Sequence, residues 1–354
     1  MSRDRSYRHR DIAEQSGLSL ATVDRVLHDR PGVSARAVRA VEQAQLELDR
    51  QLTQLRLGAR TMLLDLVMQA PRRFTAAVQQ ALETELYSAR PAVVRIRSDL
   101  REAGTTAELV GRLDAIGRRG RSSDGVLLKA PDRAEVAAAV DRLHARGIPV
   151  VTLVTDVHDC ARVAYVGLDN AAAGRTAAYL TLRFLAPRDA SGDLGGSALV
   201  LLSRGDFLGE RERADAFAET VRGRAPGLRL VELSDADGLD ERTAELVARA
   251  LRDVPDVRAV YSVGGGNRAV VEQLHRAGAS GAVLIGHDLD ADNLELLRAG
   301  RIDAVLHHDL RADLRAALRQ VLRHHGLVPG APTSVPAGVQ VITPYNVPAR
   351  ISPR

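Results

Sequence analysis

The sequence predicts a chain in two parts: a small all-α head over residues 1–60 and an α/β core over residues 61–354, built as two doubly wound parallel-sheet lobes. Residues 9–34 hold two short helical stretches broken by a glycine. From Thr61 onward, short apolar runs alternate with Ala- and Leu-rich amphipathic segments. At 354 residues the chain exceeds one compact unit, and its 45% hydrophobic content supports several buried cores.

In the head, a helix is expected from about Arg10 to Ser16, ended by Gly17, which can take the positive φ of a tight turn. Leu18 plugs the corner and Ser19 caps a second helix from about Leu20 to Asp29. Ile12, Ala13, Leu18, Val23, Val26 and Leu27 then fall on facing inner surfaces, leaving Leu20, Ala21, Thr22, Asp24, Arg25 and His28 outside. This is the layout of a helix-turn-helix, whose second helix enters a DNA major groove. With Ser34 as cap, a third helix follows: Val38, Val41, Leu48, Leu52 and Leu55 recur at spacings of three and four, and no Gly or Pro interrupts residues 33–57.

In the core, strands are expected at 61–68, 92–98, 124–130, 148–155, 163–168, 197–203, 228–233, 258–263, 281–286 and 302–306. Amphipathic helices lie between most of them, among others at 73–89, 132–146, 170–186, 239–253, 266–278 and 311–325. Such alternation implies parallel sheets with helices on both faces.

The net charge of +4 excludes a polybasic nucleic-acid coat, yet the first 60 residues carry eleven Arg against eight Asp plus Glu, so the basic excess sits largely in the head. Lys129 stands as the one lysine among 49 basic residues, a bias attributed to genome composition. Aromatics make up 3% with no Trp, so any ligand stacking falls to a few Phe or Tyr. A single Cys160 excludes an internal disulfide and fits a reducing cytoplasm. The N-terminus shows no apolar signal core and no run reaches membrane-spanning length, so neither secretion nor membrane insertion is expected.

The string Ser19-Leu-Ala-Thr-Val-Asp-Arg-Val-Leu-His28, followed by Arg30-Pro-Gly-Val-Ser34, closely resembles the head of the lac repressor family of bacterial transcription regulators. The resemblance continues in Gly167-Leu-Asp-Asn170 with Gly174, Arg213 with Phe217, and Ile285-Gly-His-Asp288, which look like landmarks of a periplasmic-binding-protein-like core. In such a core the chain crosses between lobes three times, implying a first lobe of about 61–162 and 290–322 and a second of about 163–289 and 323–354. The linker departs from the family. Where relatives carry Tyr-x-Pro-Asn and a hinge helix, this chain has Arg50-Gln-Leu-Thr53. Either Leu55 or Leu57 still wedges into a minor groove, or the third helix simply continues toward Gly58.

Chemistry then assigns candidate roles. Arg25 can donate a bidentate pair to guanine, and Leu20 and Ala21 open the helix that faces base edges. Ser19, Thr22, His28 and Ser34 suit phosphate contacts, which fix register. Asp24 either accepts from a cytosine amino group or pairs with Arg25 or His28. In the core, ligands bind beyond the carboxyl ends of the strands. The effector candidates there are Phe74, Asp156, Phe207, Arg213, Asn267, Asp288 and His308, a mixture of donors, acceptors and flat apolar rings that suits a sugar or polyol. The resemblance implies effector contacts for Arg213 and Asp288. The family's Asn-Asp pair is here Asn267-Arg268, and a late Gln is His308. Asp169 and Asn170 serve equally well as caps of the following helix.

These expectations describe a cytoplasmic homodimer that binds a near-palindromic double-stranded operator as a repressor, with a small effector, no cofactor and no metal. Induction and corepression stay open. The rival is a solute-binding protein of a sugar transport system, which shares the core but calls for a leader and no head. An enzyme would need a catalytic set: Gly264-Gly-Gly-Asn267 lacks the Lys-Ser/Thr of a phosphate loop, and Asp156-x-His158-x-Cys160 and the paired histidines lack zinc spacing.

Overall fold

The computed structural model describes residues 7–56, 60–86, 89–118, 120–185, 194–334 and 336–348. The head is three helices: α1 (His9–Ser16), α2 (Leu20–Leu27) and α3 (Ala35–Arg56). Gly17 ends α1 at φ 67°, and the Ser19 hydroxyl accepts from the Thr22 amide at the start of α2. Ile12, Ala13, Val23, Val41 and Ala44 form the head's small core, with Leu18, Val26, Leu27 and Leu48 packed around it. The third helix runs on to Arg56, as one of the two linker alternatives required. The side chain of Leu55 and all of Leu57 and Gly58 lie outside the described residues, and so does the wedge expected of them.

The first lobe follows: β1 (Thr61–Gln69), α4 (Arg72–Leu86), β2 (Val93–Arg101), α5 (Thr106–Ala115), β3 (Gly125–Lys129), α6 (Ala134–Ala145), β4 (Val150–Leu153) and β5 (Ala164–Val166). Its strands are parallel in the order β2-β1-β3-β4-β5. Alternate strand residues serve opposite faces: Leu64, Leu66, Leu127 and Val151 pack toward Val78 and Leu82 of α4, whereas Val67, Val126, Leu128 and Val150 meet Leu109, Leu113, Val136 and Val140 of α5 and α6. Each such fully buried Val or Leu contributes roughly 1.5–3 kcal/mol.

The second lobe comprises α7 (Asn170–Leu185), β6 (Ser197–Leu201), α8 (Leu208–Arg224), β7 (Arg229–Leu233), α9 (Asp240–Asp253), β8 (Val257–Ser262), α10 (Asn267–Arg276), β9 (Val283–His287), α11 (Ala291–Arg298) and β10 (Ala304–His307). After α12 (Leu310–His324), the short β11 (Gln340–Ile342) completes a sheet of order β11-β10-β9-β8-β6-β7, with only β11 antiparallel.

The lobe boundaries differ from expectation in two places. The expected bounds put 163–168 in the second lobe, but β5 pairs with β4: no helix separates them, so the chain returns to the edge of the same sheet. The expected bounds put all of 290–322 in the first lobe, but β10 pairs with β9 in the second sheet, and only α12 lies against the first lobe through Leu314, Leu318 and Val321. The crossings therefore fall near Gly167–Asp169, at His308–Asp309, and between α12 and β11. Two of these connections pair directly, Asp169 N–H to Ala337 O at 3.0 Å and Ala337 N–H to Gly167 O at 2.7 Å.

Candidate functional site

Two regions concentrate polar side chains without an obvious structural purpose. In the head, the outer face of α2 is open: Leu20 is 54% exposed, and Ser19, Ala21, Arg25 and His28 are exposed, with Thr22 half-buried. Ser19 Oγ lies 2.9 Å from Thr22 Oγ1, and Ser34 Oγ accepts from the Ala37 amide at 3.2 Å, so both serines cap helices whose N-terminal amides face outward. Asp24 pairs with Arg30 at 2.9 Å and His28 at 3.1 Å. That tethers Asp24 to its own domain, and among the described residues Arg25 has no ion-pair partner.

The second region is a cleft of about 620 Å³, its open mouth included, between the carboxyl ends of the two sheets. From the first lobe it takes Phe74 and Arg73 of α4, Lys129 at the end of β3, and Thr155 after β4. From the second it takes Phe207 before α8, Glu210 and Arg213 in α8, and His287 and Asp288 at the end of β9. Glycine supplies the close approach. A Cβ on Gly264 would meet the Ser203 amide at 2.0 Å, and Gly265, at φ 90°, lies against Arg73. The Gly264–Gly266 run thus shapes one wall of the cleft.

Electrostatics differentiate the cleft residues. Lys129 is buried, donates to Gln69 O at 3.1 Å, and sits 3.6 Å from the centre of the Phe207 ring. Burial pushes its amine down to about 8 against the pull of Glu210 and Asp288. Arg213, also buried, donates from Nε to Asn170 Oδ1 at 2.8 Å. His287 shares a 2.7 Å hydrogen bond with the Tyr261 hydroxyl, and burial, with Arg213 nearby, holds it neutral well below the usual histidine range.

Asp288 takes φ 62°, a strained value for Asp, and Asn293 fixes it by donating to the carbonyls of His287 and Asp288 at 2.9 and 2.6 Å. Burial alone would raise the Asp288 carboxyl, but His308 and Arg213 overcome this and lower it. Burial would likewise lower His308, yet Asp288 and Asp313 outweigh it and raise the imidazole to about 9.

Two family models match this chain. Residues 107–325 match the periplasmic binding protein domain, and residues 10–49 match the bacterial regulatory proteins of the lacI family. The chain belongs to the lacI family, on a periplasmic-binding-protein core. No curated protein sequence matches it. The core of this lacI-family chain is similar in fold to the glucose-galactose binding protein GanP of Geobacillus stearothermophilus (20% identity, TM-score 0.69, covering 82% of this chain and 99% of that one). It is similar also to a Caulobacter myo-inositol binding protein bound to myo-inositol (20%, 0.68, 80% and 94%). A third is an ABC transporter solute binding protein of Agrobacterium vitis with bound D-fucose (19%, 0.68, 80% and 96%). Neither matching family model describes an enzyme. Among the described residues, no helix is long and apolar enough to cross a membrane, and no group of three His, Cys, Asp or Glu is placed to hold a metal.

Of the effector candidates, Phe74, Phe207, Arg213 and Asp288 line the cleft of this lacI-family core. Three do not. Asp156 turns away to pair with Arg162 and Thr152, because the loop after β4 brings Arg162 back beside it. Asn267 is buried behind the cleft, donating to Asn293 Oδ1 at 2.8 Å. His308 is buried one layer deeper and reaches the cleft only through Asp288, 3.4 Å away. The sequence gives no signal for Glu210 or Asp290, and Arg73 and His287 lie at strand ends without being singled out as effector contacts. Lys129 is not among the effector candidates either, although its solitary status among arginines is the available signal.

Proposed function

We propose that this chain is a sequence-specific DNA-binding transcription regulator, acting as a repressor, whose operator affinity is set by a small polyhydroxylated effector held between its lobes. The observation that carries this is the open face of α2: a helix capped by Ser19 and followed by α3 capped by Ser34, with Leu20, Ala21 and Arg25 exposed and, among the described residues, no ion-pair partner for Arg25. The cleft supports the effector half of the proposal. Lining two opposed lobes with Phe74 and Phe207 offers apolar C–H contacts, and Arg213, His287 and Asp288 offer donors and acceptors to hydroxyls. Sugar and inositol ligands are what the similar solved proteins are described as binding.

A two-fold dimer would present two heads to a near-palindromic site, in the cytoplasm where the DNA lies. Effector binding changes lobe closure, closure changes head spacing, and the operator in turn alters effector affinity by the same factor. A solute-binding protein of a transport system would use the same cleft but has no use for the head.

Fluorescence anisotropy with DNA from upstream of the chain's own gene tests the proposal. Saturable, salt-dependent binding that a sugar or polyol strengthens or weakens is expected. No binding at low salt to any upstream fragment would remove the regulator function.

A further inference from the structure

Resting on the effector role just proposed for the cleft, we propose that its ligand carries an anionic oxygen group, a carboxylate or a phosphate ester, seated between Lys129 and Arg213. The ligand class is thus an acidic sugar derivative, not a neutral sugar.

The argument is a pairing of charges. Two of the three acids lining the cleft have a cationic partner, and the third, Glu210, is held by neutral donors. Glu210 accepts from the Ser203 hydroxyl at 2.6 Å and its amide at 2.7 Å, Asp290 lies 3.4 Å from Arg73, and Asp288 lies 3.4 Å from His308. The cations are not matched in the same way. Among the described residues, neither Lys129 nor Arg213 has a carboxylate within 4.0 Å, although Lys129 is only 7% exposed and Arg213 3%. Their hydrogen bonds to Gln69 O and Asn170 Oδ1 use one donor each, and both side chains line the cleft.

A buried cation without a counter-ion is costly, and two in one cleft repel each other. Burial depresses the Lys129 amine most; Glu210 and Asp288 pull it back from beyond contact distance, and Arg213 pushes it down again. A ligand that brings the missing negative charge relieves both groups at once, whereas a neutral sugar leaves them as they are. Lysine is also the exception in this composition. Arginine fills 48 of the 49 basic positions, and the single ammonium is kept where a compact donor stands over the Phe207 ring. His287 Nδ1, buried and without a hydrogen-bond partner among the described residues, is a further polar contact for the same ligand.

Thermal unfolding of the full chain separates the possibilities, because a ligand selective for the folded state raises the midpoint. Three panels are compared at millimolar concentration: sugar acids (gluconate, galactonate, glucuronate), hexose phosphates, and the neutral glucose, galactose, sorbitol and myo-inositol. The expected result is stabilisation by a member of one acidic panel, and which panel responds distinguishes carboxylate from phosphate. Lys129→Gln should then weaken that ligand by about thirtyfold or more, while the unliganded midpoint stays level or rises because a buried charge is gone. Stabilisation by neutral compounds alone would overturn the acidic class and leave the effector role standing. Equal affinity of parent and Lys129→Gln for the acid would also overturn it. Silence across all three panels would overturn both.

Discussion

Arg73 of α4 spans the cleft to Asp290, the cap of α11, with 3.4 Å between guanidinium and carboxylate, and donates to the Gly238 carbonyl at 2.7 Å. One first-lobe side chain therefore holds two points of the second lobe. Burial raises the Asp290 carboxyl above its ordinary value even with Arg73 beside it. Arg73 thus offsets a desolvation cost, and removing it leaves the carboxylate with its helix-cap hydrogen bond from the Asn293 amide but no cation beside it. Arg73→Ala is expected to lower stability by about 1–3 kcal/mol at neutral pH. The loss should shrink when Asp290 is already Asn. Urea denaturation of the double-mutant cycle measures this, and additive losses would mean the two groups do not interact.

On the proposed function, base reading in the head falls to Arg25 and phosphate holding to Ser34. Arg25→Ala should relax preference at one operator position and cost roughly 1–3 kcal/mol there. Ser34→Ala removes the cap on α3, so it should weaken all sequences alike and lower head stability by about 1 kcal/mol. Binding to a library of single-base operator variants checks both. An Arg25→Ala profile parallel to that of the parent, or a changed preference in Ser34→Ala, would reverse the assignments.

The elements of this fold were legible because their signals are local. Gly17 and Ser19 mark the turn of the head by their own conformational chemistry, and strands such as 61–68 are apolar because both faces are covered. What was not legible depends on distant partners. The three-residue β5 reads the same whichever sheet it joins, and β10 is assigned only by its bonding to β9. β11 (Gln340–Ile342) is too short and too polar at its start to stand out at all. The same limit governs the cleft. Asp156 sits at a strand end like Asp288, yet Arg162 captures one while the other faces the opposite lobe.

His308 joins the cleft to the first lobe, since it lies at the crossing from β10 to α12, between Asp288 of one lobe and Asp313 of the other. In the folded chain its imidazole stays protonated to about pH 9, against 6.5 when unfolded. Between those values the native state binds the extra proton, so this contribution is complete below about pH 6.5 and lost as pH rises through about 9. The loss is on the order of 3 kcal/mol. Lys129, lowered to about 8, acts oppositely and favours the folded state as pH climbs from there toward 10.5. Comparing the parent with His308→Gln isolates the histidine: the variant should lose the decline in unfolding midpoint between pH 6.5 and 9. Identical slopes would show that His308 is not held protonated.

Gly174 explains why the spacing from Asn170 to Gly174 accompanies Arg213. A Cβ at Gly174 would lie 2.2 Å from the Arg213 carbonyl and 3.0 Å from the Ala216 Cβ, so α7 and α8 touch backbone to backbone there. That contact also places Asn170, on α7, within 2.8 Å of the Arg213 guanidinium. Gly174→Ala must push the helices apart, costing about 1–3 kcal/mol and shifting Arg213 in the cleft. Gly111, exposed within α5 with nothing within 4 Å of its would-be Cβ, supplies the control. Gly111→Ala should stabilise by about 0.4–1 kcal/mol through a less flexible unfolded chain. Urea denaturation of the two variants decides the matter: equal and benign effects would mean that the α7–α8 contact does not set the position of Arg213.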